Sequence, residues 1–338
     1  MPDQNSKRNT DFLDVLRWMA TFAVVLYHVL NALQGSINLS ESKTLVYNLA
    51  AVPMRWHVPT FLMISGALFL NPEKQITYAA LFRKYIRRIL LALIIFGYPM
   101  ALIELYFTTH TITAGMFLQG LQNLIAGKTW SHMWYLYMLV GLYLLLPSLR
   151  SIIGNESKRN KLYLLIILFV FTSVLKTISD FGIAKIGFTL PVSSVYLFYF
   201  LMGYYCLYEI EVSPKMRTLS ILGIVCSLLI VFVNAFCKLD LPLDAESPVI
   251  VVLTVSLFLL ARSIPLRSIL LTKTRHLCFG VYLVHVFFLH VLYKVVGISP
   301  FDYPVFLSIP VIAIIVFALS ILVSAVLNKI PPLRKYVM

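Results

Sequence analysis

The sequence predicts an all-α integral membrane protein, a bundle of about ten transmembrane helices with N- and C-termini cytoplasmic. Three observations support this. Of 338 residues, 60% are hydrophobic and only 12% charged, far from the balance of a water-soluble domain of this length. The apolar residues gather into runs of about 20, the length that crosses a hydrocarbon core of about 30 Å. The Lys and Arg residues concentrate in alternate connections, the asymmetry expected of cytoplasmic loops.

The runs follow in order. Phe12–Leu33 comes after Lys7 and Arg8, but it is longer than a secretory h-region and no small-x-small cleavage site ends it, so it reads as helix one of the mature protein. Leu45–Leu70 carries Pro53 and Pro59, and Ile89–Thr108 follows a strongly basic turn. Met133–Leu149, Leu162–Ile178, Ser194–Tyr208 and Leu219–Phe236 come next. Pro248–Ala261, Leu277–Val296 and Val305–Leu327 complete the set, with the sixth and eighth runs short for a full crossing. No period of 20 to 50 residues repeats. The chain therefore reads as one helical domain over residues 1–338, and any chemistry lies inside the bundle or at its mouths.

With the N-terminus inside, twenty of the 28 Lys and Arg residues fall in inside segments and seven outside, while Arg17 lies within helix one. This placement accounts for the formal charge of +14. Nucleic acid is not implied, because no basic tail, zinc spacing or base-stacking module accompanies the charge. Cys206, Cys226, Cys237 and Cys278 stand far apart without a C-x-x-C pair. They read as packing residues, neither bridges nor metal ligands.

Ionisable groups inside membrane runs cost about 2.5 to 3.5 kcal/mol each at mid-helix, so each is a functional candidate. They are Asp14, Arg17, His28, Glu104, His285, His290 and, at a helix end, His57. Arg17 and His28 are eleven residues apart, three helical turns with a drift of only about 20°, so they share a face at roughly 16 Å separation. Asp14 stands three residues before Arg17, in reach of an ion pair that orients the guanidinium. The plainer reading is a snorkelling arginine and a packing histidine. The shared face and the acidic partner favour function.

A second feature is the basic turn LFRKYIRRIL between helices two and three. Arg83 with Arg87, and Lys84 with Arg88, are spaced i, i+4 on a short cytoplasmic helix. Such cations suit the phosphates of a nucleotide-like ligand, although positive-inside topology and contact with anionic lipid also explain them. Tyr282 and His285, i, i+3 on helix nine, could line a tunnel or form a polar packing pair. Glu104 could orient His28 or bind an acceptor. His57 and His132 lie beside Trp56, Trp130 and Trp134 in what reads as an aromatic belt. His290 points to a different face from His285 and reads as structural, and His110 lies in an outside loop.

Together these residues resemble acyltransferase family three, the integral membrane acyltransferases that modify surface polysaccharides. DFLDVLRWMATFAVVLYHV is similar to that family's Arg-x10-His signature with its preceding Asp-x-x-Arg, carried by Asp14, Arg17 and His28. VPTFLMISGALFL resembles its Pro-x-Phe and Ser-Gly pattern at Pro59, Phe61, Ser65 and Gly66. HMWYLYMLVGLYLLLP resembles its Trp-aromatic-Leu run at Trp134, Tyr135 and Leu136, and GVYLVH its late Tyr-x-x-His at Tyr282 and His285. The family's Arg-x-x-Arg is met only approximately, by Lys84 and Arg87 flanked by Arg83 and Arg88.

The resemblance implies a multi-pass protein of the cell (plasma or inner) membrane, surrounded by lipid. Its donor would be acetyl-CoA or another short acyl-CoA held from the cytoplasmic side, and its acceptor a surface polysaccharide or lipid-linked glycan outside. No metal is implied. Arg17 and the basic turn would meet the CoA phosphates, and the thioester would arrive near His28. An imidazole suits proton removal from a sugar hydroxyl, and an acyl-imidazole route is equally open. The competing reading is a multispan transporter or flippase of an anionic or glycolipid solute. Against it stand the lack of an inverted repeat and the lack of a counterpart to Pro53 and Pro59 in a second half. A lipid-binding scaffold without turnover has no need of a histidine in line with an arginine.

Overall fold

The computed structural model describes residues 10–31, 41–182 and 194–338. Among the described residues there is helix and no strand. In chain order the helices are α1 (Asp11–Asn31), α2 (Glu41–Ala51), α3 (His57–Phe69), α4 (Tyr78–Thr109), α5 (Ala114–Ile125), α6 (Ser131–Asn155) and α7 (Lys158–Asp180). They continue with α8 (Val195–Tyr208), α9 (Pro214–Cys237), α10 (Pro248–Ser263), α11 (Ile269–Thr274), α12 (Leu277–Val296), α13 (Val305–Leu327) and α14 (Pro331–Tyr336).

Seven of these, α1, α4, α6, α7, α9, α12 and α13, are long and apolar enough to cross a membrane, and α8 and α10 are shorter apolar helices. The second predicted run, Leu45–Leu70, is not one helix. It is α2 and α3 joined by a 3-10 turn over Val52–Trp56 with Pro53 in its first positions, where the missing N–H of proline interrupts the α ladder. The third predicted run begins earlier than expected. Thr77 caps α4 by accepting the Ala80 N–H at 3.2 Å, and the helix runs without a break through LFRKYIRRIL. The basic turn is thus the first part of a membrane helix and not a separate short one, because nothing in it stops a helix. Its Leu81–Ile86 stretch is π-wound, so the cations do not stack at strict α spacing.

The chain forms two compact units. The first holds α1 to α3 and α7 to α11. Serine side chains cap α9, α10 and α11 from Ser213, Ser247 and Ser268, with proline at the first helical position of α9 and α10, where no N–H is needed. The heart of this unit is a backbone-to-backbone crossing of α3 and α8. A Cβ on Gly66 would lie 1.7 Å from the Phe200 carbonyl oxygen, and one on Gly203 would lie 1.9 Å from that of Met63. Small residues permit such an approach where helices pack without water to drive them together. Ala20, Ala23, Trp56, Ile250 and Leu253 form a buried cluster beside it, and Phe12 meets Phe258 edge-on at 5.5 Å.

The second unit holds α4, α5, α6, α12, α13 and α14. Here α12 lies on α13, and Ser324 Oγ donates to the Leu277 carbonyl at 2.9 Å. In both units the outward residues of the long helices are apolar: Leu222, Leu229 and Phe232 on α9, and Ile314, Leu319 and Leu322 on α13 are all exposed. Water would not tolerate such continuous faces, and lipid does.

Candidate active site

In the first unit, α1 is a single uninterrupted helix that carries Asp14, Arg17 and His28. Arg17 Nη1 donates to Asp14 Oδ1 at 2.7 Å across one turn. The second carboxylate oxygen accepts from Arg275 Nη1 at 3.1 Å. Asp14 is buried, so its charge is balanced by two guanidiniums, a condition for keeping a carboxylate inside. The start of α1 is fastened further by Asp11 with Arg267 at 3.0 Å and by Trp18 Nε1 donating to the Leu271 carbonyl at 3.1 Å. Arg17 itself is about one-fifth exposed, so its charge is oriented yet reachable.

His28 lies half-buried near the other end of α1. The Tyr27 ring meets it edge-on at 5.5 Å and also packs on the His57 ring at 5.1 Å. His57 is buried, and its Nδ1 is 2.6 Å from the Met54 carbonyl. A carbonyl only accepts, so the Nδ1 of His57 carries the proton. The break after α2 sets His57 at the first position of α3, next to Tyr27; an aromatic-belt reading of the sequence misses this placement.

In the second unit, Arg83, Lys84 and Arg87 are exposed and Arg88 is half-buried. Among the described residues none of the four is paired with a carboxylate. The guanidinium of Arg87 lies over the Tyr336 ring and that of Arg88 over Phe279. Exposed cations without carboxylate partners are the right groups for phosphate oxygens, and Arg83, Lys84 and Arg87 are of that kind. No group of three or more His, Cys, Asp or Glu that could hold a metal ion occurs among the described residues.

The remaining sequence candidates also fall in the second unit. Tyr282 OH donates to the His132 carbonyl at 2.6 Å. His285 is fully buried with Nδ1 at 2.8 Å from the Tyr282 carbonyl, so Nδ1 carries a proton. The His132 ring stands 5.2 Å from that of His285. Trp134 is 39% exposed and edge-on to Tyr135. Glu104 pairs with Lys294 at 2.9 Å and lies 3.8 Å from His290, whose ring packs tilted on that of Trp130 at 4.0 Å. The structure thus brings His132, Tyr282 and His285 together, and gathers Glu104, His290 and Lys294. His290 has a carboxylate beside it that the periodicity of α12 alone does not reveal.

Arg275 is the neighbour of Asp14 that sequence reasoning passes over. It sits among loop cations that topology already explains, and only the fold brings it to Asp14. A family model described as an acyltransferase domain matches residues 10–329 of the chain. No curated protein and no solved structure matches it.

Proposed function

The chain belongs to acyltransferase family 3, and on that premise we propose that it transfers a short acyl group, acetyl first among them, from cytoplasmic acyl-CoA to a hydroxyl of an extracytoplasmic surface glycan. The observation that carries this reading is α1, an unbroken helix on which Arg17 and His28 share a face at about 16 Å. Arg17, Arg83, Lys84, Arg87 and Arg88 are each proposed as cations for donor phosphates. Glu104, Trp134, Tyr282 and His285 are proposed as supporting residues. The whole chain is proposed to act as one acyltransferase domain of the plasma or inner membrane with both termini cytoplasmic. Seven long helices, two short apolar ones and the broken α2–α3 pair supply its ten crossings.

The donor supplies an acyl group activated as a thioester. His28 takes the proton of the acceptor hydroxyl as that oxygen bonds to the carbonyl carbon. As the carbon–sulfur bond breaks, the electron pair leaves with sulfur and the imidazolium returns the proton to it. In a stepwise variant, a His28 nitrogen carries the acyl group before passing it on. Asp14 orients Arg17 and takes no part in proton transfer.

The test is a titration of the purified protein with acetyl-CoA beside Arg17→Ala and His28→Ala. Saturable binding that is lost in Arg17→Ala and kept in His28→Ala supports the reading. Failure of the folded wild type to bind any short acyl-CoA overturns it in favour of a transporter.

A further inference from the structure

Residues 331–338 fold back onto the basic part of α4. The guanidinium carbon of Arg87 lies 4.8 Å from the centroid of the Tyr336 ring. Arg88 donates its Nε–H to the Val337 carbonyl at 2.8 Å, and its guanidinium carbon lies 4.9 Å from the Phe279 ring centroid. The segment is well anchored. Val337 is 1% and Met338 8% exposed, and the backbone N–H groups of both donate to the Leu333 carbonyl at 2.8 Å. Met338 fills the notch that Gly280 leaves on α12, where a Cβ would come within 2.3 Å of its Cε. The family match stops at residue 329, so this segment lies outside the part of the chain that the family accounts for.

We propose that residues 331–338 form a strap that presents Arg87 to the phosphates of the acyl-CoA donor, with Tyr336 and Val337 as positioning residues, an inference that rests on the donor reading above. The chemistry divides the four basic-turn cations. An arginine stacked on an aromatic face keeps the N–H groups at its edge available for a phosphate while its flexible stem is already ordered. Arg87 is held in that way. The Nε–H of Arg88 is committed to a backbone carbonyl, which removes the edge that a bidentate phosphate contact through Nε requires. Of the cations proposed above, Arg88 therefore anchors the strap and keeps only its Nη N–H groups for a phosphate, while Arg83, Lys84 and Arg87 are exposed and present their full charged ends to the ligand. The half-buried Tyr336 ring is the aromatic face that the strap sets against Arg87, the exposed arginine that follows the π-wound turn, and Lys335 Nζ lies over the same ring at 5.1 Å.

The experiment measures acetyl-CoA binding to the full chain as wild type, Tyr336→Ala, Tyr336→Phe, Arg87→Ala and the Tyr336→Ala/Arg87→Ala double variant. Loss of the stacked ring is expected to raise Kd roughly 3- to 10-fold, while Tyr336→Phe, which keeps the aromatic face, stays within about twofold of wild type. In the double variant, Tyr336→Ala should add nothing to the loss caused by Arg87→Ala, because the ring acts through that arginine. Additive losses would mark a merely structural role and overturn the proposal. Unchanged or tighter binding in Tyr336→Ala, with the wild type binding normally, would overturn it as well. If Tyr336→Ala does not fold, Tyr336→Leu keeps the bulk without the π face and carries the same expectation. A folded wild type that binds no short acyl-CoA would defeat the donor reading itself, and the strap's role with it.

Discussion

Asp14 and Arg17 form an ion pair of 2.7 Å one turn apart on α1, and the same carboxylate holds Arg275 from 261 positions along the chain. Asp14→Ala leaves two guanidiniums without their shared partner. Both are partly exposed, so water recovers part of the loss, and destabilisation of about 1–3 kcal/mol is expected. Acetyl-CoA affinity should fall in parallel, because Arg17 loses its orientation. Thermal unfolding in detergent and donor titration check the two effects, and an Asp14→Ala variant with wild-type values for both would remove the carboxylate from the site.

His28→Ala is expected to reduce acyl transfer at least about 100-fold, the lower end of what a positioned general base contributes. Donor affinity should change little. Retained turnover would rule out His28 both as base and as acyl carrier.

Gly66→Ala places a methyl group 1.7 Å from the Phe200 carbonyl oxygen. Neither partner is the end of a flexible side chain, so α3 and α8 must separate, at a cost of about 3 kcal/mol or more. Gly141 on α6 has nothing within 4 Å of its would-be Cβ. Gly141→Ala should therefore be neutral or stabilising by up to about 1 kcal/mol. Equal melting temperatures for the two variants would contradict the close crossing.

Tyr282→Phe removes the hydroxyl that donates to the His132 carbonyl, and a loss of about 1 kcal/mol is expected. His285→Asn keeps a donor near the Nδ1 position and deletes Nε2. If His285 supports the chemistry, His285→Asn lowers transfer more than donor binding; if it only packs, the two variants differ in stability alone. Steady-state rates beside melting curves distinguish these outcomes.

Much of the fold was legible along the chain because membrane helices announce themselves by length and apolarity, which are local properties. Leu277–Val296 and Val305–Leu327 have the same bounds in the sequence reading and in the structure. The second run failed because a hydropathy pattern does not register that Pro53 breaks the ladder, and α4 began early because a run of cations reads as loop when judged by polarity. The Ser-Gly pattern in α3 was visible, yet its physical reason, the crossing with Phe200, was not.

The sequence by itself determined the membrane solvent, the apolar helices and the alignment of Asp14, Arg17 and His28 on one face, since a single helix with a known period contains all three. Tertiary structure alone decided which distant groups complete them. Arg275 reaches Asp14, Tyr27 meets His57, Lys294 reaches Glu104 and Val337 receives Arg88, the last across 249 positions. These pairings depend on how helices pack, and packing is set by the shapes of whole faces, such as the notches at Gly66 and Gly280, and not by any period along one chain segment.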